Sequence, residues 1–94
     1  MAHFLVRHRV KGYAKWKPVF DEHAGKRKLS GSKGGRLFRS AKDPNEVVIL
    51  FEWEDAGKAR QFAESEDLRQ AMERAGIADK PDLYFLDEIE KFSA

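Results

Sequence analysis

Three histidines, His3, His8 and His23, are the side chains of this sequence best suited to move a proton near neutral pH. An imidazole's ordinary pKa of about 6.5 sets them apart from the carboxylates and lysines. His8 alternates with Phe4 and Val6 as residues on one face of a strand do, and His23 follows Tyr13, Trp16 and Phe20 at steps of three and four, with Arg27 next on the same side. If both histidines point into one gap, with Trp16, Phe20 and Tyr84, they line a pocket in which either could act as general acid or base. The alternative is a histidine hydrogen-bonded at the edge of the core or at a dimer seam. Trp53 is a further aromatic candidate for the pocket wall, and Arg36 and Arg39 could meet an anionic substrate at its mouth.

Other chemistries are thinly represented. With no cysteine there is no disulfide, thiolate zinc site or cysteine nucleophile, and a reducing cytoplasm fits. No HxH, HxxxH or HExxH spacing occurs, and His3, five residues from His8, belongs on the opposite strand face, so no metal is expected. Gly31-Ser32-Lys33-Gly34-Gly35-Arg36 is rich in glycine, but a phosphate loop needs GxxxxGK[ST] between a strand and a helix. Here the glycines follow a helix and enter a strand, which suits a flexible connector with a basic edge.

The elements that must hold these residues can be read from periodicity. His3 to Val10 is a strand with Phe4, Val6, His8 and Val10 on one face and Leu5, Arg7 and Arg9 on the other. Tyr13 to about Leu29 has helical spacing, with Pro18 expected to loosen the first turn or bend the helix. Ser30 to Gly35 reads as a loop, Arg36 to Ser40 as a second strand, and Lys42-Asp43-Pro44-Asn45 as a tight turn. Glu46 to Glu54 is a strand apolar on both faces, so both must be covered. Asp55 caps a helix from about Ala56, Ser65 caps a second helical piece through Ala75, and Gly76 ends it. Asp82 to Ile89 is the last strand. The order β-α-β-β-α-β is the split arrangement of ferredoxin-like α+β folds: a four-stranded antiparallel sheet with both helical segments on one face.

Ninety-four residues suit one domain spanning 1–94. No apolar run nears the roughly 20 residues a bilayer requires, and Met1-Ala2-His3 leads into a strand instead of a signal peptide. Residues 1–42 hold twelve Lys/Arg against two acids, a net of +10, while residues 43–94 hold six against fourteen, a net of −8. The basic residues are interleaved with apolar ones, so the two halves are expected to lie against each other in one fold. Two helical segments cover one sheet face only. Leu5, Val48 and Leu86 on the other face require a mate, and a second copy is the economical cover, giving a homodimer through the sheet. That face is then closed to RNA, and the acidic half repels a phosphate backbone, so neither nucleic acid nor membrane is expected as a partner.

The strings LVRHRVKGYAKWKPVFDEHAGKRK, GSKGGRLFRS, DPNEVVILFEWED and DLYFLDEIE resemble the dimeric α+β barrel group. Within it the chain is similar to small antibiotic biosynthesis monooxygenase-like proteins, some labelled "cyclase". The resemblance implies a dimer and a small-molecule site between helices and sheet. It spans cofactor-free oxygenases, haem-degrading enzymes, isomerases and members with no known activity. A single axial histidine could hold haem as in the haem-handling relatives, but no second feature supports one and no cofactor is expected. Oxygenating members often place an Asn and a Trp in the pocket, whereas the only asparagine here, Asn45, falls in a turn. His8 and His23 are therefore the catalytic candidates, and Trp16, Phe20, Arg36, Trp53 and Tyr84 the ligand-binding ones. The ligand expected is a small aromatic or polyketide-like molecule; the alternative is a non-catalytic metabolite-binding or assembly module.

Overall fold

The computed structural model of the chain describes residues 2–77 and 80–94, so Met1 lies outside it. Its elements are β1 (Ala2–Arg9), α1 (Tyr13–Glu22), α2 (Ala24–Leu29), β2 (Ser32–Arg39), β3 (Glu46–Trp53), α3 (Ala56–Ala63), α4 (Glu66–Ala75) and β4 (Asp82–Leu86). The strands form one sheet in the order β2-β3-β1-β4, with every neighbouring pair antiparallel. This is the β-α-β-β-α-β plan with each helical segment divided in two.

Register decides what meets the helices. Phe4 lies between Phe51 and Phe85, Val6 between Ile49 and Leu83, and His8 opposite Val47. These residues share the covered face, and Phe4, Val47 and Trp53 are wholly buried. One residue along, Leu5 lies between Leu50 and Tyr84, and Arg7 between Val48 and Asp82, on the open face. The two-residue side-chain period makes this sorting strict.

The helix termini follow their capping residues. Asp55 accepts a hydrogen bond from Lys58 N at 2.7 Å and Ser65 from Leu68 N at 3.2 Å, starting α3 and α4. Gly76 closes α4 in the left-handed conformation at φ 74°. Pro18, by contrast, neither loosens the first turn nor marks the break: α1 runs through it, and the interruption falls at His23, with φ −80° and ψ −3°. Proline removes one N–H from the ladder, and α1 tolerates that loss because Trp16 and Phe20, on the same side, hold it to the sheet.

Two strand boundaries differ from the sequence reading. Residues 32–35 belong to β2 instead of a loop, with a register shift between Ser32 and Gly34. The glycines serve the strand: Gly34 sits at φ 110°, and a Cβ on Gly35 would collide with the Leu50 carbonyl oxygen of β3. At the other end β4 stops at Leu86, and residues 87–94 continue without regular structure, leaving Ile89 and Phe92 exposed.

The two oppositely charged halves do interlock. Among the described residues five of nine ion pairs join them: Arg7 with Glu46 and with Asp82, Arg9 with Asp43, Lys26 with Asp67, and Lys33 with Glu54. Each involves at least one exposed side chain and contributes about 0–1 kcal/mol, so they bias register more than they stabilise.

The glycines make opposite predictions. Gly35→Ala is expected to lower unfolding free energy by about 2 kcal/mol or more, because the partner backbone cannot yield. Gly25→Ala, on an exposed helix position with nothing within 4 Å of the new methyl, is expected to raise it by roughly 0.5–1 kcal/mol. Urea denaturation of the two variants reads both signs.

Candidate functional site

The space between sheet and helices is walled by rings. Trp16 and Phe20, four residues apart on α1, stack at 4.9 Å between centroids, and Phe20 approaches Phe51 of β3 at 6.4 Å. Phe4 stacks on Phe51 at 5.7 Å and on Phe85 at 5.0 Å, making an aromatic floor. From α4, Leu68, Ala71, Met72 and Ala75 form the facing wall. Between these surfaces lies a cavity of about 120 Å³ that opens to solvent. That approaches the roughly 150 Å³ of a protein cavity able to hold benzene.

Three polar side chains interrupt this apolar lining: His8, His23 and Arg27. His8 is only 4% exposed and meets the Trp16 ring nearly edge-on, with centroids 5.8 Å apart. His23, at the α1–α2 junction, is 8% exposed and packs 5.6 Å from Phe62. Burial, and next the nearby Arg27 charge, hold its imidazole below the ordinary histidine pKa. His23 is therefore neutral at pH 7 and able to accept a proton.

The cavity thus brings together His8, His23, Trp16 and Phe20 from the sequence candidates, and omits others. Arg36 borders an adjoining recess of about 200 Å³, shared with Phe20, Arg27 and Phe51. Arg39 leaves the mouth and stacks its guanidinium 4.6 Å from the Tyr13 ring. Trp53 is core: its indole N–H donates to the Ser30 carbonyl at 2.9 Å, and its ring meets Phe62 at 4.9 Å. It ties the α2–β2 connection to β3. Tyr84 pairs with Leu5 and shares its outward face, a consequence of register that places it opposite to the pocket. Asn45 stays in its turn, where Oδ1 accepts from Tyr13 N at 3.2 Å and its carbonyl from Val10 N at 2.8 Å.

Sequence reasoning placed Arg27 on the apolar side of its helix and, with Lys26 and Lys28, at the negative end of the helix dipole, but gave it no part in the pocket. Its guanidinium lies 3.9 Å over the Phe20 ring and donates to the Phe20 carbonyl at 2.8 Å. A cation continuing the Trp16, Phe20, His23 spacing was the available signal. Among the described residues no group of three or more His, Cys, Asp or Glu could hold a metal ion, and no helix is long and apolar enough to cross a membrane.

Residues 13–74 match the family Antibiotic biosynthesis monooxygenase. The chain belongs to the antibiotic biosynthesis monooxygenase family. Solved structures share its fold across nearly the full length. A Bordetella bronchiseptica protein assigned to that family superposes with TM-score 0.80 at 16% identity, covering 95% of this chain and 97% of its own. A Caulobacter crescentus protein with the same assignment gives 0.75 at 19% identity, covering 95% and 90%. SnoaB, a cofactor-independent oxygenase from Streptomyces nogalater solved as a mutant, gives 0.77 at 18% identity, covering 99% and 97%. A search of curated proteins finds no match.

The His23 environment sets a pH dependence. A histidine whose folded pKa lies below its unfolded value is protonated first in the unfolded chain, so stability falls as pH drops below about 6.5. Glu54 and Glu66, held below the ordinary carboxylate range by hydrogen bonds from Lys58 and Arg69 respectively, act only below their reference value of 4.5. Between these limits, unfolding free energy is expected to decline on acidification in the native protein and to decline less in His23→Gln. Equal slopes in the two would remove the buried-imidazole account.

Proposed function

We propose that this protein is a cytoplasmic homodimer, one domain over 1–94, that binds a small aromatic or polyketide-like molecule between sheet and helices. The observation that carries the reading is the cavity itself: apolar and aromatic walls with a few convergent polar groups, the usual composition of a ligand site. Its volume approaches that of a cavity able to hold one aromatic ring, and its open side would let a larger ligand project outward.

As an enzyme it would work without a dedicated cofactor, His8 or His23 exchanging a proton with the ligand. The likeness to SnoaB, described as a cofactor-independent oxygenase, supports an oxygenase-like or isomerase-like reaction. A second reading, a metabolite-binding or assembly module without catalysis, is favoured by one observation. Asn45, the asparagine that an Asn-and-Trp oxygenating pair would need, is committed to the Tyr13 and Val10 backbone N–H groups.

The dimer reading rests on the open sheet face. Phe38, Tyr84 and Leu86 are 50%, 53% and 41% exposed there, beside half-buried Leu5, Val48 and Leu50. Arg7, in the middle of this face, is paired with Glu46 and Asp82, so covering it would not bury an unpaired cation. A second copy would bury this surface isologously.

Two measurements test these statements. Light scattering at micromolar concentration is expected to give the mass of a dimer for the native protein and of a monomer for Leu50→Asp; a native monomer ends the dimer reading. Titration with 1,5-dihydroxynaphthalene, followed by quenching of Trp16 and by oxygen uptake, is expected to show saturable binding. His8→Asn is expected to fold and bind at least about tenfold more weakly or lose turnover. Binding without turnover in the native protein selects the metabolite-binding reading, and no binding removes both ligand-binding readings.

A further inference from the structure

We infer that the ligand of this cavity carries an acidic oxygen, a carboxylate or ionised phenol or enol, and that Arg27 is the residue that selects it. The inference rests on the pocket reading and names its substrate class.

Arg27 is a half-buried cation in an unusual setting. It lines the central cavity and also two neighbouring recesses. Among the described residues it makes no ion pair. The carboxylate whose charge it feels, Asp21, is held by Lys17 at 2.6 Å. The one other acid on a bordering recess, Glu54, is engaged by Lys33 and Lys58.

Its orientation is fixed while part of its donor capacity stays open. Stacking on Phe20 sets the plane, and the Nη1 bond to the Phe20 carbonyl uses one of five N–H donors. A cation at the last turn of a helix is ordinarily a solvated partner of the helix carbonyls. Lys26 and Lys28 on the same turn are exposed, whereas Arg27 turns inward onto Phe20 and Phe51. Burial lowers its pKa from the ordinary value, yet a guanidinium stays charged at neutral pH. A partly desolvated charge with open donors gains most from an anion. His23 beside it is neutral and does not compete for that anion. Gly34, with open space where a side chain would stand, leaves the adjoining recess unobstructed.

Benzoate and benzamide, nearly equal in shape and different in charge, test this. Native protein titrated by Trp fluorescence and by NMR is expected to bind benzoate at least about tenfold more tightly than benzamide, and the Arg27 Nε–Hε resonance is expected to shift with benzoate only. Arg27→Gln is expected to lose the preference while keeping benzamide affinity, and Lys28→Gln to keep the preference. The native comparison and the resonance decide the matter even if Arg27→Gln fails to fold. Equal affinities, or a preference that survives in Arg27→Gln, overturn the acidic-ligand inference and leave the pocket reading standing. Binding of neither probe brings down the pocket reading and this inference with it.

Discussion

β3 turns Val47, Ile49, Phe51 and Trp53 toward the helices and Val48 and Leu50 away from them, in a sheet that has helices on one side only. Satisfying the first set determines how the chain folds; the second set is not covered by the helices. The helices can shelter the inner face because their own apolar residues recur at three and four, which turns Trp16 and Phe20 downward from α1 and Ala59 and Phe62 downward from α3. Capping by Asp55 and Ser65 and the stop at Gly76 then fix the starts of α3 and α4 and the end of α4, and Gly35 lets β2 approach β3 closely.

The inner packing explains why a cavity survives in so small a protein. Phe4, Phe51 and Phe85 form a flat floor, while Trp16 and Phe20 stack on each other and hold α1 above it. Planar rings held in that way do not interdigitate as branched aliphatics would. A closed void of about 120 Å³ costs up to about 3 kcal/mol, a sizeable share of the about 5–15 kcal/mol typical of a domain. Opening to solvent reduces that cost, and the polar groups there explain the opening. Two imidazoles and a guanidinium in a sealed aromatic core would each carry a desolvation penalty.

How much of this was legible in the sequence depended on the range of the signal. Capping residues and the 3.6 and 2.0 periods are local, so Asp55, Ser65, Gly76 and the inward aim of His8 and His23 were readable from a few neighbours. Tyr84 and Trp53 required the register between strands. Alternation shows that Tyr84 opposes Phe85, but only the pairing with Leu5 tells which of the two meets the helices. Trp53 shares the correct face yet lies at the end of β3 held by Ser30, beyond the cavity. The glycine run looked like a loop because glycine is poor in strands, and its purpose, approach to the Leu50 carbonyl, lies in a partner strand fifteen residues away. Arg27 was passed over for a similar reason: a cation in a last helical turn has a sufficient local explanation in the helix dipole.

The central claim is that this gap is an accessible site and not filled core. Crystals pressurised with xenon measure it directly, since xenon enters apolar cavities of this size without requiring any polar recognition. The expected result is one xenon atom in contact with Phe20, Phe51 and Met72, with the surrounding backbone unmoved. Crystals with no xenon in that space, the rings and Met72 closed upon one another, would contradict the account.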